Sequence, residues 1–163
     1  LKIKQKLNTK LGIVFIGSTN AKNFEVDDNL VKSIQSRCEQ FIGEEVFFVE
    51  KTSHIEQYYQ VADVYVLSSA REGMPNTLLE AMSCALPVIS TRLKGITDWV
   101  LNHNVNGVMY DYGDIDALGI LLENLLQDDN LCKRIGSNAR TTIKDNFNVL
   151  STAERIHHIY EDL

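Results

Sequence analysis

Short runs of branched and aromatic apolar residues alternate along this chain with segments of helical periodicity. We predict five β-strands from these runs, at residues 11–17, 46–49, 62–69, 87–91 and 107–110. A strand–helix alternation of this kind implies a mostly parallel sheet that helices cover on both faces. The predicted fold class is therefore α/β, with a three-layer α/β/α architecture. The first run, which ends at a glycine, is expected to be a buried strand.

The composition excludes several functional classes. The chain has 163 residues, 44% of them hydrophobic, and a formal net charge of −6, which suits one α/β domain. The acidic balance argues against nucleic-acid binding, which needs a basic patch. No apolar run approaches the ~20 residues of a membrane span. The three cysteines lack metal-ligand or redox spacing, so reduced thiols in a cytoplasmic protein are expected.

The stretch at residues 68–91, SSAREGMPNTLLEAMSCALPVIST, combines a strand end, a polar loop, a helix and the next strand. In parallel sheets ligands bind at the carboxyl ends of the strands, and this loop is expected at such an end. Proline is favoured in the first turn of a helix, so a helix is predicted to begin near Pro75. The free backbone N–H groups and the positive dipole end of that helix would form a site for a phosphate or diphosphate.

Two glutamates flank this helix start: Glu72 in the loop, and Glu80 about one turn inside the helix. Helical spacing places Leu78, Met82 and Ala85 on the buried stripe, so Glu80 lies off the apolar face. A carboxylate there can accept hydrogen bonds from the two hydroxyls of a ribose, and Glu72 can reach hydroxyls at the far end of the ligand. Glutamates are most often solvated surface residues. Here the glycine, the helix start and the flanking strands favour a binding site.

The sequence EGMPNTLLEAMSCALPVIST at residues 72–91 resembles the E-x7-E signature of retaining nucleotide-sugar glycosyltransferases, and most closely that of glycosyltransferase family 4. These enzymes have the GT-B fold, in which two Rossmann-like domains face each other across a cleft. The similarity covers nearly the whole chain: ADVYVLSS precedes the motif, and T-x-x-x-G-I, NGVMY and a helix begun by Gly-Asp follow it in the family's order.

The resemblance implies a hexosyl transfer from a nucleotide sugar, with a UDP-sugar expected, to a hydroxyl acceptor with retention of the anomeric configuration. It also assigns residues to the parts of the donor. The donor sugar would contact Glu72, Gly73, Met74 and Pro75. The diphosphate would bind the backbone of Asn76, Thr77 and Leu78, and the ribose would bind Glu80. The base would lie against the loop around Glu50, with Lys51 and Thr52 as its contacts.

The resemblance further implies that residues 1–163 form one donor-binding domain, the C-terminal domain of a larger GT-B enzyme. The family's donor domain starts with a strand and a helix that carry a basic pair for the diphosphate, and this chain is expected to begin after them. The expected partners are the nucleotide sugar and the acceptor-binding N-terminal domain of the same enzyme. Without that domain the chain is predicted to be inactive. We expect a cytoplasmic enzyme that associates peripherally with the inner face of the membrane through the N-terminal half.

Two residues of the motif depart from the family's common form. Pro75 removes one N–H donor from the sugar end of the site, and Ala85 stands where glycine is common. The expected consequence of Ala85 is confined to the end of the helix.

Asp114 and Asp116 form a D-x-D sequence, which is the metal-binding motif of a different glycosyltransferase fold. Asp114 lies directly before a leucine-rich helix, so an N-cap is the favoured interpretation. We therefore expect that neither a metal nor another cofactor is required. Trp99 is predicted to lie in the core or at a domain contact.

Two other functions remain open from the sequence. A GT-B epimerase or hydrolase acting on a nucleotide sugar would need a further acid–base pair in the cleft. A non-catalytic nucleotide-binding domain on the same kind of sheet would show no preference for the sugar.

Overall fold

The structure is a computed structural model, and it describes residues 10–17 and 28–161. These residues belong to two compact units, one within Leu1–Ile55 and the other within Glu56–Leu163. Each unit is described by itself below.

The first unit contains two parallel strands, β1 (Ile13–Ile16) and β2 (Val46–Val49). Between them lies the helix α1 (Asp28–Cys38), which continues into a 3-10 turn at Glu39–Phe41. The chain then reverses at Gly43, whose φ of 86° lies in the left-handed region that suits glycine. Both strands were predicted from the sequence. Leu30, Ile34 and Cys38 also recur at helical spacing and predict a helix from near Asp27, a start that lies outside the described residues.

The predicted burial of β1 is wrong. Its four residues are 36–46% exposed. A parallel strand is buried only when a neighbour pairs on each side and helices cover both faces. Within the described part of the first unit, β1 pairs with β2 alone.

The second unit contains a three-stranded parallel sheet in the order β3-β4-β5. Its strands are β3 (Tyr65–Leu67), β4 (Val88–Thr91) and β5 (Val108–Tyr110). The central strand β4 is buried along its whole length, as expected for a parallel strand with partners on both sides. Every strand pairing in the two units is parallel, which confirms the predicted fold class.

Six helices precede, connect or follow these strands within the described residues. They are α2 (Ile55–Val61), α3 (Asn76–Ser83), α4 (Thr97–Val100), α5 (Ile115–Gln127), α6 (Asp129–Asn146) and α7 (Val149–Glu161). Ile89 of β4 packs into a buried cluster with Leu125 of α5 and Ile135 of α6. Val88 points to the opposite face, because successive strand residues alternate, and there it lies beside Leu101 and Gly107. In the described ranges, no helix combines the length and the apolar character that crossing a bilayer requires.

Side-chain caps begin three of these helices. Asp114 accepts a hydrogen bond from the Ala117 N–H (2.9 Å), which confirms the N-cap interpretation of the D-x-D sequence. Asp128 caps α6 in the same way. The sequence STAE at residues 151–154 predicts a capping box that starts the C-terminal helix at Ser151. That prediction is wrong: the helix starts at Val149, and Asn148 accepts a hydrogen bond from the Ser151 N–H (2.8 Å).

Trp99 does not lie in the core. Its side chain is 61% exposed, and its ring meets that of Phe147 edge-on, with 5.4 Å between the ring centres. The four-residue helix α4 turns Val100 inward and leaves Trp99 on its outer face.

The end of α3 is packed tightly against α6. The N–H of Ala85 donates to the Met82 carbonyl and that of Leu86 to the Ala81 carbonyl, which is the Schellman pattern. Ala85 therefore takes the left-handed conformation (φ 60°) that glycine usually supplies. A Cβ added at Gly136 of α6 would overlap the Ala85 carbonyl oxygen, so only glycine allows this approach.

We expect Gly136→Ala to destabilise the protein by about 1–3 kcal/mol, because the new methyl group must displace the backbone at Ala85. Ser137→Ala, on the adjacent exposed position, is the matched control. Chemical denaturation of both variants measures the difference. Equal free energies of unfolding for Gly136→Ala and wild type would show that the two helices do not pack in this way.

Candidate functional site

The loop between β3 and α3 lies at the carboxyl end of the sheet, as predicted. It leaves β3 after Leu67, which pairs with Ser90 of β4. The hydroxyl of Thr91, the last residue of β4, donates to the Ser69 carbonyl oxygen (2.6 Å). The Thr91 carbonyl in turn accepts from the buried Thr97 hydroxyl (2.7 Å). The central strand therefore anchors the loop that carries Glu72 and leads into α3.

A tight turn at Pro75 leads into α3. Pro75 has φ −79° and ψ 74°, and the Asn76 N–H donates to the Met74 carbonyl oxygen (2.9 Å), which together define an inverse γ-turn. Pro75 is buried and lies at the N-cap position, one residue before the predicted first turn. Its fixed φ favours this turn, so the direction of the helix is set locally.

Fewer backbone N–H groups are free at this helix start than the sequence suggests. The Asn76 N–H is used in the γ-turn, and the Leu78 N–H donates to the Pro75 carbonyl (3.0 Å). The N–H groups of Gly73, Met74 and Thr77 have no acceptor among the described residues. The donors available to a ligand are therefore those of the loop and of Thr77.

Glu80 is an exposed carboxylate held by a buried phenol. The hydroxyl of Tyr59, on α2, donates to Glu80 Oε2 (3.1 Å), while the Tyr59 side chain is only 6% exposed. Glu80 Oε1 has no hydrogen-bond partner among the residues described. One carboxylate oxygen is therefore fixed and the other is available.

Thr77 makes a second link to a tyrosine. The hydroxyl of Tyr65, on β3, donates to Thr77 Oγ1 (2.8 Å). Because a hydroxyl carries one proton, Thr77 accepts here and keeps its own proton for another acceptor. The rings of Tyr59 and Tyr65 meet edge-on, with 5.8 Å between their centres. The two phenols thus form one cluster under the start of α3.

The electrostatics keep both phenols protonated. Burial raises the pKa of Tyr59 far above its usual value, and the nearby Glu80 charge adds to the effect. Burial also raises the pKa of Tyr65, to which Glu72 and Glu80 contribute against the opposing bond to Thr77. Tyr65 therefore lies within electrostatic reach of both carboxylates.

Glu72 is half-buried and has no hydrogen bond or ion pair within the described ranges. Gly73 and Met74 beside it are exposed, and a Cβ at Gly73 would touch nothing within 4 Å. Of the four residues predicted to contact the sugar, Gly73 and Met74 are therefore open to solvent, Glu72 is half-buried and Pro75 is buried.

Lys51 and Thr52, the predicted contacts of the base, belong to the first unit and follow β2 directly. Lys51 is exposed, and Thr52 Oγ1 accepts from the His54 N–H (3.1 Å). In the ranges that the structure describes, no group of three His, Cys, Asp or Glu side chains is arranged to hold a metal ion.

Sequence reasoning missed the roles of Tyr59 and Tyr65. Tyr59 is buried, and Tyr58 beside it on α2 is half-buried. Only the packing of α2 and β3 against α3 reveals that the two hydroxyls reach Glu80 and Thr77.

The raised pKa of Tyr59 makes a prediction about stability. The pKa of Tyr59 in the folded protein exceeds its value of ~10 in the unfolded chain. Tyr59 therefore makes its full contribution to the free energy of unfolding below pH ~10, and this contribution falls as the pH rises further. We expect Tyr59→Phe to reduce this alkaline loss of unfolding free energy, measured by denaturation from pH ~8 to ~11. Tyr58→Phe controls for the loss of a phenol from the same helix. A Tyr59→Phe variant with the wild-type alkaline slope would contradict the prediction.

Comparisons with known proteins identify the family and the fold of this chain. The family described as glycosyl transferases group 1 matches residues 1–142. An N-acetyl-alpha-D-glucosaminyl L-malate synthase from Bacillus anthracis is 30% identical over 122 residues, which are 75% of this chain and 32% of that protein. The chain thus spans about a third of the length of this relative.

Solved structures show the same fold. Anabaena HepE in complex with UDP superposes with a TM-score of 0.83 at 21% identity, over 94% of this chain and 41% of HepE. The C-terminal domain of the group 1 glycosyl transferase LpcC from Francisella tularensis superposes with a TM-score of 0.71 at 18% identity, over 91% of this chain and 92% of that domain. The fold is that of one Rossmann-like half of the GT-B glycosyltransferases. The chain belongs to the group 1 glycosyl transferase family.

Proposed function

We propose that this chain is the donor-binding part of a retaining glycosyltransferase, which transfers a hexosyl group from a UDP-sugar to a hydroxyl acceptor. The observation that carries the proposal is the pairing of two kinds of group at the start of α3. Among the described residues, the Thr77 N–H and hydroxyl proton have no acceptor, and one Glu80 carboxylate oxygen has no donor.

The spacing of these groups fits a nucleoside diphosphate. Thr77 and Glu80 are three residues apart, about 4.5 Å along the helix axis. The helix start attracts the diphosphate, since its N–H groups and dipole favour an anion. The Glu80 carboxylate repels phosphate but accepts hydrogen bonds from hydroxyls, so it binds the ribose that adjoins the diphosphate.

Glu72 and its neighbours hold the sugar in this proposal. The Glu72 carboxylate is unpaired within the described residues, and the N–H groups of Gly73 and Met74 are free. These groups recognise hydroxyls of the hexose, while Pro75 contributes shape and no N–H. That HepE was solved with UDP supports uridine as the base of the nucleotide.

The contribution of the chain to the chemistry is electrostatic. As the bond between sugar and diphosphate breaks, negative charge grows on the diphosphate. Donors at the start of α3 are already oriented towards that charge, so they stabilise the transition state more than the ground state. In this proposal no metal is required.

The rest of the reaction lies with the longer enzyme. The acceptor binds the N-terminal domain, so the 163-residue chain alone does not catalyse transfer. The same proposal places the enzyme in the cytoplasm, with its acceptor-binding half at the inner face of the membrane.

Titration calorimetry with UDP and with UDP-glucose tests the proposal. We expect Glu80→Ala to weaken both ligands by about tenfold to a hundredfold, because hydrogen bonds from the ribose to a charged group are lost. Glu72→Ala should weaken UDP-glucose by a similar factor and leave UDP unchanged. The exposed Glu154 of α7 supplies the control, Glu154→Ala.

Two results would contradict the proposal. If Glu80→Ala binds UDP as tightly as the wild-type protein does, Glu80 does not bind the ribose. Equal loss of UDP and UDP-glucose in Glu72→Ala would show that Glu72 does not contact the sugar.

A further inference from the structure

The carboxylate assigned to the ribose is poorly restrained by its own helix. Glu80 is exposed, and an exposed glutamate samples several rotamers. Its described hydrogen bond is the one from the Tyr59 hydroxyl to Oε2. The orientation of Glu80 therefore depends on a residue of another helix.

We propose that Tyr59 is a positioning residue for ribose recognition: its hydroxyl holds Glu80 Oε2 so that Oε1 is presented to the ribose hydroxyls. This inference rests on the proposed function, and it names a residue outside the E-x7-E motif that sets the specificity of the same site.

Tyr59 is itself rigid enough for this role. Its side chain is 6% exposed, and its ring packs edge-on against that of Tyr65. Tyr65 is in turn tied to Thr77. The phenol that orients Glu80 therefore cannot move without disturbing the packing beneath α3.

A neutral donor suits this task better than a cation. A lysine or arginine in the same place would neutralise Glu80 and weaken its attraction for the ribose hydroxyls. A phenol that stays protonated orients the carboxylate and leaves its negative charge in place.

Each tyrosine supports a residue that is proposed to bind a different part of the ligand. The Tyr59 hydroxyl donates to Glu80, the residue proposed for the ribose, and the Tyr65 hydroxyl donates to Thr77, the residue proposed for the diphosphate. Removing the Tyr59 hydroxyl should therefore weaken only ligands that carry ribose hydroxyls. Removing the Tyr65 hydroxyl should weaken every nucleoside diphosphate by the same factor, with or without those hydroxyls.

The test compares the dissociation constants of UDP and 2′,3′-dideoxy-UDP by titration calorimetry. Wild type should prefer UDP by about tenfold to a hundredfold, because the dideoxy ligand lacks both hydroxyls. Tyr59→Phe should reduce this ratio by roughly fivefold to tenfold through weaker UDP binding, with the dideoxy ligand unchanged. Tyr65→Phe should weaken both ligands alike, and Tyr58→Phe should change neither.

A second variant distinguishes the loss of this one hydrogen bond from a general loss of structure in Tyr59→Phe. Glu80→Asp shortens the side chain by one methylene. The carboxylate can then no longer accept from the Tyr59 hydroxyl and bind the ribose at the same time. This variant should lower the ratio as Tyr59→Phe does, and the double variant should show no further loss.

The outcomes separate this inference from the proposed function. A wild-type protein that prefers UDP, with the same ratio in Tyr59→Phe, overturns the role of Tyr59 and leaves the donor site intact. A wild-type protein that binds both ligands equally overturns the ribose assignment of Glu80 and, with it, the role of Tyr59. Additive effects of Tyr59→Phe and Glu80→Asp would also overturn the proposal.

Discussion

The position of α3 is the constraint on which the candidate site depends. Leu78, Ala81 and Met82 are fully buried, so the helix cannot rotate without exposing apolar surface. Its C-terminal end is docked through the close contact of Ala85 with Gly136. Its N-terminal end is directed by the γ-turn at Pro75 and tied to β3 by the bond from Tyr65 to Thr77. A helix fixed at both ends presents its first turn and Glu80 in a defined geometry.

This anchoring explains how α3 can present an anion-binding helix start and a carboxylate within one turn of each other. The start of α3 attracts an anion, while Glu80 is itself an anion about one turn away. The arrangement is useful only if the two regions stay distinct, with phosphate at one and hydroxyls at the other. Tyr59 and Tyr65 contribute to that separation, because each holds one polar group of the helix from beneath.

Local patterns predicted much of this structure. Branched apolar runs located all five strands, and Asp114 identified the start of α5, since both signals act within a few residues. Features that depend on tertiary contacts could not be predicted: the exposure of β1, the outward position of Trp99, and the hydroxyls of Tyr59 and Tyr65. For the candidate site, the sequence indicated Glu72 and Glu80, and their binding roles stay predictions. The free N–H groups could not be counted in advance, because the γ-turn at Pro75 uses the one on Asn76.

The most direct test of the central claim is a crystal structure of the chain with UDP bound. The claim predicts a ribose hydroxyl about 3 Å from Glu80 Oε1, and a phosphate oxygen at a similar distance from the Thr77 N–H. Tyr59 should keep its hydrogen bond to Oε2. A UDP molecule bound with its ribose away from Glu80, or with its diphosphate away from the start of α3, would contradict the claim.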